Sequence, residues 1–454
     1  MKKIFFIAVM AVLPCASVFS QGITGAWNGT LDFGTFKLRI VFHIEEKNGI
    51  YSAAMDSPDQ GVKDIFTDST ILINKKLRIT IPKIFAVFEG KVSKKNIKGT
   101  FTQMGKSTPL ILTRGEVKNN RPQDPQPPFS YHLEDVYFEN KQADITLAGT
   151  FTYPETGGNF PAVVLISGSG AQNRDEEVFN HRPFAVLADY LTRNGIAVLR
   201  YDDRGVGKSK GVYHTASIQD FATDALSAVS YLKTRPEINP QMIGLIGHSE
   251  GGSIAFMLAG NHDGIAFIVS MAGSGIKGDS LMMHQRYLIS KAMGVSDKKI
   301  AENEELIVKM NAVIDEHTAD SAYNYPELFV GEIVPPKMKE NVAVRNAYAG
   351  ELEKLASPEI QSFMQYDPTE DLQKITCPVL AINGEKDLQV PADISLDNIA
   401  KQVKSNLTVK KYPDLNHLFQ HAKTGLVNEY ITIEETISPE VLEDICGWVK
   451  KIRN

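Results

Sequence analysis

The sequence predicts an α/β protein with a doubly wound, mostly parallel sheet, preceded by a small all-β domain. In residues 22–114, apolar and polar positions alternate with a period of two. Beyond a proline-rich stretch at 115–129, short apolar runs alternate with amphipathic helical patterns. With 454 residues, the chain is long enough for two or three domains.

The composition excludes several classes of function. An apolar fraction of 43% and a charged fraction of 22% are typical of a globular protein rather than a disordered or fibrous one. The net charge of -6 provides no basic surface for nucleic acid or anionic lipid. We therefore expect a small-molecule partner, no nucleic acid and no cofactor, and the oligomeric state stays open.

The first 20 residues have the pattern of a secretory signal peptide. Lys2 and Lys3 precede the apolar run 4–13, and small residues at Val18 and Ser20 predict cleavage after Ser20. The apolar run is too short for a membrane anchor, which needs roughly 20 residues. We expect an exported protein, periplasmic or extracellular, without membrane insertion after cleavage.

Cysteines have little weight in the prediction. Cys15 would be the site of a lipid anchor, but Pro14 is unlike the small residue that precedes a lipidated cysteine. Cys377 and Cys446 stay in the mature chain, where two free thiols are favoured and a disulfide bridge is the alternative.

Residues 22–114 are predicted to form a small antiparallel barrel or sandwich. Turn signals separate the alternating segments. Gly25-Ala26-Trp27 resembles the start of lipocalin-like barrels, in which the Trp closes one end by packing. A structural or docking module is favoured, with ligand binding as the alternative. The alternating apolar positions are Phe36, Leu38, Ile40, Phe42 and Ile44, followed by Leu77, Ile79 and Ile81.

Residues 115–129 are predicted to be a linker, because their four prolines are incompatible with a helix or a central strand. The second domain then covers 130–454. In a doubly wound sheet, active sites gather at the carboxyl ends of the strands. The predicted buried strands are 162–167, 196–201, 242–247, 266–271 and 379–382.

The strongest chemical signal follows the third of these strands. Gly247-His248-Ser249-Glu250-Gly251 lies between an apolar strand and an apolar helix, which is the pattern of a nucleophile elbow. Glycines at 247 and 251 allow strand and helix to approach while the Ser249 hydroxyl projects into the site.

A serine nucleophile needs a base, and the base needs an orienting acid. Asp387 ends the turn after the strand at 379–382, and His417 follows another strand at 407–412. These positions predict Asp387 as the acid and His417 as the base. His421 is the alternative base, but it lacks the preceding Asn that His417 has.

The order Ser249, Asp387, His417 is that of α/β-hydrolases, and residues 130–454 resemble that superfamily. Within it, the chain most resembles exported bacterial esterases of the serine-aminopeptidase-like branch. The resemblance implies a helical cap, which we place at about 274–365. The motifs are 167–170 (Ser-Gly-Ser-Gly), 201–209 (Tyr-Asp-Asp-Arg-Gly-Val-Gly-Lys-Ser) and 247–252 (Gly-His-Ser-Glu-Gly-Gly).

An oxyanion hole needs two backbone N–H donors. Glu250 N–H follows the nucleophile and is the first. Matching the motif gives Ser169 N–H as the second, with Gly170 as the alternative. Many relatives begin this loop with His-Gly, whereas Ser167 stands here.

Two nucleotide-binding patterns are incomplete. Asn173 occupies the place of the third glycine of Gly-x-Gly-x-x-Gly, and Asp202 that of the first glycine of a P-loop. By resemblance, the turn containing Asp202, Arg204, Gly205 and Gly207 is structural. His248 is expected to point away from the Ser249 hydroxyl. The sequence shows no metal-ligand spacing, so no catalytic metal is expected.

The predicted function is hydrolysis of small carboxylic esters through an acyl-enzyme on Ser249. An exported serine peptidase or amidase is the alternative. A non-catalytic binding protein on a hydrolase scaffold is a third hypothesis, which the complete triad disfavours.

Overall fold

The computed structural model describes residues 22–33, 37–60, 62–116 and 120–453. It contains two compact units, Met1–Lys118 and Asn119–Asn454. The division falls within the proline-rich segment 115–129. The predicted signal peptide lies outside the described residues.

The N-terminal unit is one antiparallel sheet of nine strands in the order β4-β3-β2-β1-β9-β8-β7-β6-β5. Strands β4 and β5 are the edges of this sheet, and the described residues form an antiparallel half-barrel. The strands are β1 (Gly25–Asp32), β2 (Lys37–Lys47), β3 (Ile50–Ser57), β4 (Val62–Phe66), β5 (Ser69–Ile73), β6 (Lys76–Ile81), β7 (Ala86–Val92), β8 (Asn96–Gln103) and β9 (Lys106–Arg114).

The predicted alternation packs one face of this sheet. Leu77, Ile79 and Ile81 are buried together with Phe42 and Phe88 in a single apolar core. Trp27 belongs to the same core, and its indole N–H donates to the Ile23 carbonyl at 2.7 Å. Trp27 therefore has a packing role with its polar atom satisfied.

The second unit contains an eight-stranded sheet in the order β10-β11-β13-β12-β14-β15-β16-β17. The strand β11 pairs antiparallel with β10 and β13, and every other pair is parallel. The strands are β10 (Tyr131–Asn140), β11 (Ile145–Pro154), β12 (Phe160–Ile166), β13 (Ala197–Tyr201), β14 (Ile238–His248), β15 (Ile268–Met271), β16 (Val379–Gly384) and β17 (Leu407–Tyr412).

Helices cover both faces of this sheet, which confirms the predicted doubly wound fold. Helices α2, α3 and α11 pack in one apolar core, and α1 and α12 pack in the other. The helices are α1 (Pro183–Arg193), α2 (Ile218–Leu232), α3 (Glu250–Asn261), α4 (Gly278–Ala292), α5 (Asp297–His317), α6 (Ala319–Asn324), α7 (Pro326–Ile333), α8 (Val342–Ala356), α9 (Pro358–Gln365), α10 (Thr369–Lys374), α11 (Ala392–Gln402) and α12 (Pro439–Arg453).

Local signals explain where helices begin. Pro183 opens α1, where a missing N–H costs nothing. Ser217 and Asp220 form a capping box that satisfies backbone donors at the start of α2. Among the described residues, no helix combines the length and apolarity that crossing a bilayer requires.

Helices α4 to α9 lie between β15 and β16, where the sequence places the cap. Helices α5 to α8 have an apolar core of their own, which includes Met310, Val313, Leu352 and Leu355, and α9 packs against it. The segment is therefore a packed subdomain inserted in the sheet.

Residues 120–129 are fixed to the second unit. The Arg121 guanidinium donates to the carbonyls of Phe179 at 2.9 Å and Ile433 at 2.8 Å. Gln123 donates to the Ile437 carbonyl at 2.7 Å. Residues 120–129, the later part of the predicted linker, are thus a fixed segment of the second unit, which we call the strap.

Candidate active site

The carboxyl ends of five parallel strands meet at one edge of the larger sheet. Ile166 is in register with Gly247, and His248 with Met271, which is itself in register with Ile382. The loops after β12, β14, β15, β16 and β17 therefore leave the sheet side by side, as ligand sites of such sheets require.

Ser249 lies on a strained turn between β14 and α3. Its φ of 54° and ψ of -119° are outside the regions that most side chains adopt. Its N–H donates to the Met271 carbonyl at 2.8 Å, which holds the turn against the neighbouring strand. This is the geometry of a nucleophile elbow.

The two glycines of the motif are required by close backbone contacts. A Cβ atom on Gly247 would collide with the Gly251 carbonyl, and one on Gly251 would collide with the Ile166 carbonyl. The first glycine therefore allows the tight turn, and the second allows α3 to lie against β12.

Asp387 is buried in the loop after β16. Its Oδ1 accepts the backbone N–H groups of Gln389 at 2.8 Å and Val390 at 2.9 Å. Its Oδ2 lies 2.7 Å from His417 Nδ1. The two N–H donors fix the carboxylate, so that its second oxygen is directed at the imidazole.

His417 is buried in the loop after β17, where its Nδ1 is hydrogen-bonded to Asp387. Among the described residues, the Ser249 hydroxyl forms no hydrogen bond with His417. The two loops are joined through His248 instead, whose Nε2 lies 2.9 Å from the His417 carbonyl oxygen. The structure thus places Ser249, Asp387 and His417 in adjoining loops. Of the two hydrogen bonds that a triad needs, the one between Asp387 and His417 is formed.

The loop after β12 lies beside the elbow, since a Cβ on Gly168 would be 3.1 Å from the Ser249 Cβ. Gly168 N–H donates to Glu176 at 2.8 Å, and Gly170 N–H donates to Glu359 at 3.3 Å. In the part of the chain that the structure describes, Ser169 N–H has no such acceptor. Glu250 begins α3, so its N–H has no acceptor within the helix either.

Comparisons with known proteins show which proteins the chain is similar to. The family model described as serine aminopeptidase, S33, matches residues 181–331, which include Ser249 and end before Asp387. Esterase EstD of Thermotoga maritima is 24% identical over 326 residues, which cover 70% of this chain and 69% of that protein. The bifunctional esterase/perhydrolase DCH of Acinetobacter calcoaceticus is 25% identical over 264 residues, which cover 56% and 88%. These similarities support an α/β-hydrolase fold and a hydrolase family for this chain.

A solved α/β-hydrolase, GrgF from Penicillium sp. sh18, matches this hydrolase with a TM-score of 0.45 and 18% identity. The match covers 70% of this chain and 98% of that one.

Sequence reasoning missed three carboxylates around the oxyanion loop, of which Glu176 and Asp203 are buried and Glu359 is half-buried. Glu176 accepts from Gly168 N–H, and Asp203 accepts from the Ser167 hydroxyl and Gln172 N–H, each at 2.8 Å. Glu359 of α9 accepts from Gly170 N–H and from the Tyr213 hydroxyl at 3.1 Å. The acidic run Asp175-Glu176-Glu177, directly after the loop, is a sequence signal for Glu176, and Asp203 lies within the motif 201–209.

Burial dominates the electrostatics of this hydrolase site. Burial raises the pKa of Asp203 to about 8, although hydrogen bonds from Gln172 and Ser167 oppose the rise. Burial, with the charges of Glu359 and Asp203, raises the pKa of Glu250 to about 8. Among the described residues, Glu250 Oε1 is buried without a hydrogen-bond partner, which suits a neutral carboxyl group.

The turn at 202–207 is structural, but Asp202 and Arg204 do not pair with each other. Asp202 pairs with Arg174 at 2.7 Å, and Arg204 pairs with Asp224 at 2.7 Å. Both ion pairs hold the turn against other parts of the second unit. This arrangement is consistent with a turn that supports the active-site edge of the sheet.

The alternative base is directed elsewhere. His421 is mostly exposed, and its Nδ1 lies 2.8 Å from Glu435 instead of Asp387.

Cys377 and Cys446 are free thiols. On the cap surface, folding brings together Glu316, His317 and Glu332, although their spacing gave no metal-binding pattern. His317 Nε2 is already paired with Glu332 at 3.0 Å.

Proposed function

We propose that this protein is a serine hydrolase that cleaves carboxylic esters through an acyl-enzyme. Ser249 is the nucleophile, His417 the general base and Asp387 the orienting acid. The observation that supports this most is the buried Asp387–His417 hydrogen bond at the sheet edge that also holds the strained Ser249 turn. An orienting acid, a base and an activated serine are the parts that acyl transfer needs.

The Asp387 contact selects the tautomer of the base. A carboxylate can only accept, so His417 Nδ1 carries the proton and Nε2 keeps its lone pair. In the proposed mechanism, Nε2 takes the Ser249 proton as Oγ attacks the acyl carbonyl. The same proton then passes to the departing alcohol oxygen as the ester C–O bond breaks.

The negative oxygen of the tetrahedral intermediate is assigned to the N–H groups of Glu250 and Ser169. Gly168 N–H and Gly170 N–H already have carboxylate acceptors, which supports Ser169 over Gly170 as the loop donor. One donor of this kind contributes about 100- to 1000-fold to kcat. Water activated by His417 then attacks the acyl-enzyme and releases the acid.

Fluorophosphonate labelling with Ser249→Ala tests the nucleophile. We expect labelling to vanish and turnover of p-nitrophenyl acetate to fall by up to about a millionfold, since a triad serine contributes that much. Ser230→Ala, on the exposed face of α2, is the control and should label as the unaltered protein does. Labelling that persists on another serine, or an unaltered protein without turnover, would contradict the proposal.

Ester hydrolysis is proposed because two of the relatives are named esterases. The description of the matching family model favours a second candidate, an aminopeptidase. A panel of p-nitrophenyl esters, acylated sugars and aminoacyl anilides separates the two. A higher kcat/KM on anilides than on every ester would establish the second candidate.

We further propose that the protein is exported and that its mature chain begins near Gln21. The charged and apolar pattern of residues 1–20 supports this proposal. Mass spectrometry of the protein from its source organism measures the mature N-terminus. A retained, lipid-modified Cys15 would contradict it.

A further inference from the structure

We propose that Glu176 and His248 form a charged pair that positions the oxyanion loop and the His417 loop relative to Ser249. This inference rests on the proposed function, because it gives the pair a task in the same acyl transfer. Both residues are positioning residues, since neither is assigned to touch the reacting atoms.

The pair connects three separate parts of the chain. Glu176 Oε1 accepts from Gly168 N–H at 2.8 Å and lies 2.9 Å from His248 Nδ1. His248 Nε2 lies 2.9 Å from the carbonyl oxygen of His417. One carboxylate and one imidazole thus join the loop after β12, the elbow after β14 and the loop after β17.

The chemistry of the partners indicates the proton positions. A backbone carbonyl can only accept, so His248 Nε2 must donate to His417. The same Glu176 oxygen already accepts from Gly168 N–H, so it is suited to accept from His248 Nδ1 as well. Both ring nitrogens then carry protons, and His248 is an imidazolium next to the Glu176 carboxylate.

The surroundings favour this charged state. Burial by itself lowers the pKa of His248, but the Glu176 charge and hydrogen bond, the His417 carbonyl and the Asp387 charge together raise it above its ordinary value. The charged and titratable groups that face the ring are therefore Glu176, Asp387 and His417. The His248 and His417 rings lie 4.7 Å apart, centroid to centroid.

Glu176 is also held in an unusual backbone conformation. Its φ is 52°, and both its backbone and side chain are buried. Strained backbone of this kind persists where the surrounding structure fixes it, and it clusters at functional sites. The strain is consistent with a side chain that must reach Gly168 and His248 at once.

Two variants of His248 separate the halves of the pair. Asn places its amide N–H near the Nδ1 position, so His248→Asn keeps the Glu176 bond and loses the His417 bond. Gln reaches the Nε2 position, so His248→Gln keeps the His417 bond and loses the Glu176 bond. Glu176→Gln keeps the shape of the carboxylate and removes its charge.

We expect each variant to lower kcat on p-nitrophenyl acetate by about 10- to 100-fold, with KM within about threefold, because misplacing reacting groups by about 1 Å can cost about 100-fold. The double variant Glu176→Gln/His248→Asn should lose about as much as either single variant, because the residues act as one unit. Glu332→Gln, which alters an exposed histidine–carboxylate pair on the cap, is the matched control.

The pH dependence of kcat distinguishes positioning from simple structural support. As pH rises through the raised pKa of His248, its proton is lost and kcat should fall. In Glu176→Gln this alkaline fall should move to lower pH, because the favourable charge is gone. Circular dichroism and thermal unfolding check that each variant is folded.

Nitrogen NMR of the histidine rings tests the charged pair independently of activity. At pH 7 the full-length protein should show both ring N–H groups of His248, assigned by their absence in His248→Gln. A neutral His248 at pH 7, or wild-type kcat in folded Glu176→Gln, would overturn the inference. Persistent labelling of Ser249→Ala would instead overturn the proposed function, and the NMR result would stand apart from it.

Discussion

The two units of the chain differ in the polar and charged side chains that they bury. Among the described residues of the N-terminal half-barrel, no charged side chain is buried, and the buried polar ones are Ser57, Thr67 and Thr70. The second unit buries Glu176, Asp203, His248, Glu250, Asp387 and His417 along a single sheet edge. Buried charge costs stability unless it is paired or neutralised. The buried groups that line this sheet edge therefore mark where chemistry is expected.

After loss of the nucleophile Ser249, the largest expected effect comes from the orienting acid of that edge. Asp387→Asn should lower kcat by about 10,000-fold, because an amide favours the wrong tautomer of the base. The loss is measured with p-nitrophenyl acetate at saturating concentration. The matched control is Asp397→Asn on α11, which should keep the activity of the unaltered protein. A loss below about tenfold in Asp387→Asn would remove this residue from the triad.

The second effect concerns the backbone that supports the elbow. Gly251→Ala forces a Cβ against the Ile166 carbonyl. Such overpacking costs about 1–3 kcal/mol in unfolding free energy. Because α3 carries the Glu250 N–H, kcat should fall as well.

Gly447→Ala is the control for that substitution. Gly447 lies in α12 with open space around its Cα, so alanine should raise the unfolding free energy by up to about 1 kcal/mol through helix propensity. Denaturant unfolding measures both variants. Equal stability changes of the same sign in the two variants would contradict the close approach at Gly251.

The sequence predicted those features of this edge that are local in the chain. The elbow is a run of five residues between a strand and a helix, and Asp387 and His417 each follow a recognisable strand. Asp203 and Glu359 were missed because their partners are distant in the chain, and so was Glu176, whose contact with His248 spans 72 positions. Glu359, for example, reaches Gly170 from the cap, 189 positions further along the chain.

A similar reason explains the segment 120–129. Prolines correctly excluded a helix and a central strand there, so the composition suggested a linker. Composition does not show which groups an arginine side chain will contact. In the folded protein, Arg121 donates hydrogen bonds to carbonyl groups near residues 180 and 432. Its contacts depend on the folded second unit.

The third effect is a pH dependence of stability. Burial raises the folded-state pKa of Glu250 from 4.5 to about 8, so between these pH values this side chain binds more protons in the folded protein than in the unfolded chain. The contribution of Glu250 to stability must then fall as pH rises across this window. Glu250→Gln removes one such group and should flatten the fall while leaving the Glu250 N–H in place.

Denaturant unfolding at pH 5, 6.5 and 8 measures this slope. Glu353→Gln, an exposed position on α8, is the control and should follow the unaltered protein. If Glu250→Gln shows the same slope as the control, Glu250 is not the buried neutral acid that its surroundings indicate.

The smallest expected effect comes from removing the half-barrel. Every candidate catalytic group lies in the second unit, and residues 22–114 are predicted to contribute none of them. Each unit has its own apolar core, which is the basis for expecting the second to fold alone. The removal therefore tests the contrast between the two units most directly.

The position of the cut decides whether this test is fair. A chain beginning near Asp124 would lose Arg121 and Gln123, whose hydrogen bonds fix the strap to the loops around residues 180 and 435. A chain beginning at Asn119 keeps them. We expect the protein that starts at Asn119 to have a kcat on p-nitrophenyl acetate within about twofold of the full mature chain, since surface changes away from a site are usually near neutral. The protein that starts at Asp124 should be less stable to heat. If the longer truncated protein is folded by circular dichroism but has lost most of its kcat, then the half-barrel contributes to the active site and the division of labour between the units is wrong.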